Sequence, residues 1–128
     1  VASVDAYSWY DAERDQARGP ASREAQYVPG PWPSRAAQMI NDLEAPIARH
    51  HPEIEQMKTA LRRAGALAAA MSGSGSTVFG LFQKRKDAVL AVERLSGSGW
   101  RVILTESLGR GEYARRSRPT TLAAVRPR

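Results

Sequence analysis

Apolar positions along this chain form two short continuous runs set among longer, spaced series. The runs are residues 66–71 (Ala-Leu-Ala-Ala-Ala-Met) and 77–82 (Thr-Val-Phe-Gly-Leu-Phe), separated by Ser72, Gly73, Ser74, Gly75 and Ser76. Short apolar runs bounded by turn residues predict buried strands, and the second run has the β-branched and aromatic content that strands favour. Around them the spacing is helical. Val4, Tyr7, Trp9 and Tyr10 lie among polar neighbours over residues 3–18, with Ser3 as a cap, Asp5 in the first turn and Gly19-Pro20 at the end. Core packing is the plain account of those aromatics.

Ser34 opens a second series, with Met39, Ile40, Leu43 and Ile47 on one face. Pro46 falls inside it, where it removes a hydrogen bond and crowds the Asp42 carbonyl, so the helix is expected to break within residues 41–45. The third series is well punctuated. His51 stands at its cap and Pro52 at its first position, with Glu53 and Glu55 in the first turn; Lys58, Arg62 and Arg63 follow toward Gly65, which terminates it. Its buried stripe is Ile54, Met57, Leu61 and Ala64.

Residues 84–96 form another helical series, with Ala88, Val89, Val92 and Leu95 facing inward. After the turn Gly97-Ser98-Gly99, residues 100–106 alternate as a strand with Trp100, Val102 and Leu104 on one face. No periodicity is evident beyond Arg110. Residues 19–34, with Pro20, Pro29, Pro31 and Pro33, are too proline-rich for either element and read as a functional flap or as disorder. This order predicts an α+β domain, helices on one face of an antiparallel sheet. A further strand ahead of Val1 would complete a ferredoxin-like split motif.

Charge changes the picture less than its total suggests. The net charge of +6 is concentrated in residues 110–128, which hold six arginines and one acid and so carry +5. The remaining residues are near neutral, which argues against nucleic acid as a partner and divides the chain into a folded unit, residues 1–109, and a basic tail expected to be solvated and disordered. There is no cysteine, so a disulfide frame and a Cys-ligated metal are excluded. Neither a membrane-length apolar run nor a signal peptide is evident, so no membrane partner is expected and the cytoplasm is the default location.

Candidate chemistry centres on Ser72, Gly73, Ser74, Gly75 and Ser76. Without a large side chain, this loop leaves its amides open to an anion, with three hydroxyls beside them. The same composition suits an ordinary turn. The loop fails the Walker motif, which needs Lys after its last Gly, and the dinucleotide fingerprint, which needs Gly where Val78 stands. His50 and His51 point about 100° apart on a helix and do not share a metal. Asp42 and Glu44 face different sides, and no His/acid pair activates Ser74. No complete catalytic constellation and no metal site is expected from these residues.

Asn41-Asp42-Leu43-Glu44, the helix after it, and Gly65-Ala66 leading through Met71, the Ser/Gly loop and Thr77-Val78-Phe79 resemble the C-terminal half of the GHMP kinases. Residues 1–9 are similar to the family segment just after the first strand of that domain. The resemblance covers residues 1–108. It implies ATP-dependent transfer of a phosphoryl group, with Mg²⁺, to a hydroxyl of a small cytidyl diphosphate substrate in non-mevalonate isoprenoid synthesis. Residues 72–76 match the family's third, Gly-rich motif, and Tyr7 matches the aromatic that stacks on the cytosine. The family's catalytic lysine and aspartate and its main ATP-binding motif lie in an N-terminal domain, and no catalytic residue is matched here. This portion is therefore expected to be a fragment inactive alone, with the N-terminal kinase domain as its partner. The open sheet edge left by the absent strand favours that pairing or a homodimer. A stand-alone ferredoxin-like small-molecule or regulatory module is the alternative, and an RNA-binding α+β domain is a weaker one.

Overall fold

The computed structural model describes residues 1–16 and 34–117. Its elements are α1 (Ser3–Gln16), a 3-10 turn (Ser34–Gln38), α2 (Glu44–His50), α3 (Glu53–Arg63), β1 (Ala68–Met71), β2 (Val78–Leu81), α4 (Arg85–Leu95) and α5 (Arg110–Arg116). The fold is α+β. Strands β1 and β2 pair antiparallel, Ala68 opposite Leu81 and Met71 opposite Val78, and α3 packs against both.

The core lies where α1, α2, α3 and β1 meet. Ala6, Ile47, Ile54 and Met71 are buried together, with Trp9, Leu43, Met57 and Val78 packed around them. Burying each large member contributes about 1.5–3 kcal/mol. On α1 the inward stripe is Ala6, Trp9, Tyr10 and Glu13, whereas Val4 and Tyr7 face solvent, Tyr7 at 58% exposure. Packing in the core therefore does not account for Tyr7. Ser3 is the first residue of α1, and its hydroxyl is directed to another element (below) instead of capping the helix.

The expected break before Pro46 is present. The chain leaves the 3-10 turn at Gln38 and re-enters a helix only at Glu44, so Pro46 sits in the first turn of α2, where no intrahelical partner for its nitrogen is needed. Met39 and Ile40, predicted on a continuous helix face, are instead exposed in this connection at 37% and 68%. α3 follows its punctuation closely. Gly65 takes φ +100°, its N–H bonds the Arg62 carbonyl at 3.0 Å and the Ala66 N–H bonds that of Leu61 at 3.0 Å, the paired bonds of a Schellman C-terminus. His51 does not cap α3 through its ring; its Nδ1 pairs with Glu53 Oε1 at 2.9 Å, while His50 stacks on Trp9 with ring centroids 4.1 Å apart.

Two expectations are corrected. Residues 100–106 keep the alternation of a strand, with Trp100, Val102 and Leu104 half-buried and Arg101, Ile103 and Thr105 exposed, yet no ladder bond makes them one. The alternation sets which face is buried, but a strand also needs a neighbour at about 4.8 Å. Beyond Arg110, where no element is expected, α5 forms; it buries none of its residues and is braced by an i,i+4 pair of Glu112 and Arg116 at 2.5 Å. The proline-rich residues 19–33 and the tail from residue 118 lie outside the described residues.

Ile54 and Leu90 provide a direct check on this burial. Ile54→Ala is expected to lower stability by about 2–5 kcal/mol, and Leu90→Ala, at a site 48% exposed, by no more than about 0.5 kcal/mol. Urea unfolding of both variants measures the contrast, and equal losses would contradict the core assigned above.

Candidate functional site

The Ser/Gly loop is the turn of the β1–β2 hairpin. Ser72 N–H donates to the Thr77 carbonyl at 2.8 Å, closing the hairpin, and Gly75 N–H folds back to the Ser72 carbonyl at 3.0 Å. Gly73 and Gly75 hold φ of +55° and +78°, in the left-handed region that side chains rarely adopt. At Gly75 a Cβ would also stand 2.8 Å from Met71 Sδ, so glycine is required there on two counts. Among the described residues, the amides of Gly73, Ser74 and Ser76 make no internal hydrogen bond, and Ser72, Gly73 and Ser76 are exposed. Amides without an internal partner, with hydroxyls beside them, are donors of the kind that bind phosphate oxygens.

What holds the loop comes from the connection before α2. Asn41 Nδ2 donates to the carbonyls of Met71 and Gly73, both at 2.9 Å, while its Oδ1 accepts the Leu43 N–H at 3.2 Å. Glu44 Oε2 accepts the Met71 N–H at 2.6 Å, and its other oxygen pairs with Lys58. Lys58 Nζ also reaches Glu55 at 2.6 Å, and the lysine is buried to 7% exposure. Burial alone would lower the Lys58 pKa, but the hydrogen bonds and negative charges of Glu44 and Glu55 outweigh it and hold the ammonium above its ordinary value. At the exposed start of α3, its own backbone N–H and the His51 ring depress the Glu53 carboxyl.

Helix α1 reaches the loop from the other side. Ser3 Oγ lies 3.1 Å from Ser74 Oγ. Four residues on, about 6 Å along the helix, Tyr7 occupies the same face as Ser3 with its ring exposed. The structure thus brings the candidate residues Ser72, Gly73, Ser74, Gly75 and Ser76 together at one hairpin tip and sets Tyr7 on the helix that touches it. Asn41, Glu44 and Lys58 are the residues that sequence reasoning left out. From the sequence, Glu44 enters as half of a carboxylate pair with Asp42, which is exposed, and as part of the Asn41–Glu44 block, with no partner assigned to it. The one available signal was the Asn41–Glu44 block itself, polar residues next to a proline-broken helix. Among the described residues no group of three His, Asp or Glu could hold a metal ion, and no helix is long and apolar enough to cross a membrane.

The comparisons with known proteins agree on one family. The family model for the C-terminal domain of the GHMP kinases matches residues 32–101. A protein of Nitratidesulfovibrio vulgaris (strain Hildenborough) is 49% identical over 69 residues, 54% of this chain and 24% of its own length. One from Sinorhizobium medicae is 47% identical over 81 residues, 62% of this chain and 27% of its own. One from Anaeromyxobacter dehalogenans is 40% identical over 116 residues, 86% of this chain and 36% of its own. All three carry the name 4-diphosphocytidyl-2-C-methyl-D-erythritol kinase. The chain spans about a quarter to a third of the length of these curated relatives.

Asn41→Ala removes the donor shared by two loop carbonyls. It is expected to cost about 1–3 kcal/mol and to accelerate amide exchange at Ser72 and Gly75, the loop amides that have internal acceptors, as read by NMR. The Lys58 cluster gives a pH signature. Its folded-state pKa lies above the unfolded value of about 10.4, so its stabilisation is complete below that pH and is lost as pH rises through the folded pKa. Thermal unfolding between pH 9 and 12 should therefore show an alkaline decline that is shallower in Lys58→Met; identical slopes would count against the cluster.

Proposed function

Because the chain belongs to the GHMP kinase C-terminal family, we propose that it forms the substrate and phosphate side of an ATP-dependent kinase acting on the 2-hydroxyl of 4-diphosphocytidyl-2-C-methyl-D-erythritol. The single observation that carries this reading is the Ser3–Ser74 contact, which joins the Tyr7 face of α1 to the hairpin loop. A substrate that carries both a pyrimidine and a diphosphate needs an exposed aromatic beside open hydrogen-bond donors, and the exposed Tyr7 and the unbonded amides of Gly73, Ser74 and Ser76 support this reading.

In this reading Tyr7 stacks on the cytosine, and the N–H groups of Gly73, Ser74 and Ser76 donate to phosphate oxygens. The substrate oxygen forms a bond to the γ-phosphorus as the bond to the departing ADP oxygen breaks, and the hydroxyl proton passes to a base. These residues supply positioning and charge stabilisation, the terms on which phosphoryl transfer chiefly depends. Lys58 is not the base, being committed to Glu44 and Glu55. The base and the principal nucleotide anchor belong to an N-terminal kinase domain as partner, and the folded unit of residues 1–109 works against it in the cytoplasm. Among the described residues no three His, Asp or Glu side chains cluster as a metal site, and no Mg²⁺ ligand is proposed from them.

Two measurements test this. The purified 128-residue chain is expected to transfer no labelled γ-phosphoryl group from ATP to 4-diphosphocytidyl-2-C-methyl-D-erythritol. In a complete kinase carrying this domain, Tyr7→Ala is expected to raise KM about 5- to 150-fold, corresponding to about 1–3 kcal/mol of base stacking, with Tyr7→Phe close to wild type. An unchanged KM in Tyr7→Ala would remove Tyr7 from the site.

A further inference from the structure

A cavity of about 570 Å³ opens between α3 and α4, and it shares no lining residue with the Ser/Gly loop. That volume lies within the range of small-molecule sites, about 300–1,000 Å³. Ala64, at the end of α3, is buried in its wall, and Ala60 and Leu95 are half-buried beside it. Thr59, Arg63 and Arg94, which also line it, are exposed. The floor is therefore apolar and the rim carries hydrogen-bond donors.

The rim is also charged on one side of the balance. Arg63 and Arg94 each sit in the last turn of a helix. A cation there complements the terminal carbonyls, which accounts for one arginine per helix but not for both lining one cavity. Among the described residues neither guanidinium makes an ion pair or a hydrogen bond. Glu55, the acid in the lining, is already paired with Lys58 at 2.6 Å. Two positive charges thus face one concave, partly apolar wall that concentrates their field, and the protein supplies them no counter-charge. What this lining lacks is an anion.

We propose that this cavity binds a small organic phosphate, a phosphomonoester of a short alkyl alcohol. The phosphate follows from the donors. A guanidinium fork pairs with two oxygens, and a carboxylate offers only two, so one arginine saturates it. A phosphomonoester presents three outer oxygens and a charge approaching about −2, enough to meet both arginines and the Thr59 hydroxyl together. The alkyl group follows from the floor, since it covers Ala60, Ala64 and Leu95 and removes their apolar surface from water. Among the described residues no aromatic side chain lines the cavity, so a nucleobase finds no ring to stack on. The inference does not rest on the kinase reading, in which the substrate meets Tyr7 and residues 72–76.

The test titrates the isotope-labelled 128-residue chain with butyl phosphate at low ionic strength and follows amide shifts by NMR. Shifts are expected at residues 59–64 and 94–95. Arg63→Gln and Arg94→Gln, both at exposed positions, should each weaken binding about tenfold or more, the loss of a charge-assisted hydrogen bond. Ala60→Trp, which fills the cavity, should abolish binding while the far-UV circular dichroism stays that of the parent. Hexanoate should bind at least tenfold more weakly than butyl phosphate, and inorganic phosphate should also bind more weakly because it leaves the floor uncovered. Shifts confined to residues 72–76 would place the phosphate on the hairpin loop and overturn the cavity site. Absence of binding, undiminished binding by both arginine variants, or equal affinity for hexanoate or for inorganic phosphate would each overturn it as well.

Discussion

The carboxylate of Glu44 is the constraint on which the rest of this structure turns. One oxygen takes the Met71 N–H and the other the Lys58 ammonium, so a single side chain joins the start of α2, the middle of α3 and the last residue of β1. None of the three groups is left alone where water is scarce. A buried ammonium without a partner costs several kcal/mol, and an unpaired strand N–H costs less but still matters. Glu55 provides the second acceptor that makes burying Lys58 tolerable. Met71, carried on the same strand end, then inserts its side chain into the core beside Ile47 and Ile54. Polar satisfaction and apolar packing are therefore fixed by the same few residues.

The loop inherits its shape from this junction. Asn41, three residues before Glu44, reaches both the Met71 and Gly73 carbonyls, so the two carbonyls at the entry to the turn point toward one amide nitrogen. With the carbonyls gathered on that side, the amides of Gly73, Ser74 and Ser76 remain available. Positive φ at Gly73 and Gly75 makes the arrangement possible without Cβ strain, and Met71 Sδ, close to Gly75, keeps the turn seated on the core. The composition suited both a turn and a cradle; the loop is the turn of a hairpin, and three of its amides have no internal partner.

What could be read from the sequence was local. Gly65 after a helix with basic residues in its last turn, Pro46 inside an apolar series, and two apolar runs around a Ser/Gly loop each carry their own stereochemical rule, and each element formed where its rule put it. The residues that escaped depend on partners distant in sequence. Tyr7 shares its apolar character with Trp9, and only the docking of α1 decides that Trp9 goes inward and Tyr7 outward. Asn41 and Glu44 act on backbone groups roughly thirty residues away, which no spacing rule records. α5 shows the opposite case. A seven-residue helix that buries nothing has no apolar periodicity to find, and what the sequence shows of it is the i,i+4 spacing of Glu112 and Arg116.

Residues 100–106 mark where period and pairing part company. Alternation of Trp100, Val102 and Leu104 against Arg101, Ile103 and Thr105 requires only one covered face, and α4 supplies that. A ladder requires a backbone at hydrogen-bonding distance, and the sheet ends at β2. Strand character in a sequence is thus evidence about a face, whereas membership of a sheet is a property of neighbours. The same distinction explains the two edges of the hairpin. On the outer edge of β1, Arg62, Asn41 and Glu44 take three of the four outward groups of Ala69 and Met71. On the outer edge of β2, no described residue bonds the outward groups of Val78 and Gly80. An edge met by side chains and an edge without them are different physical states, and this hairpin has one of each.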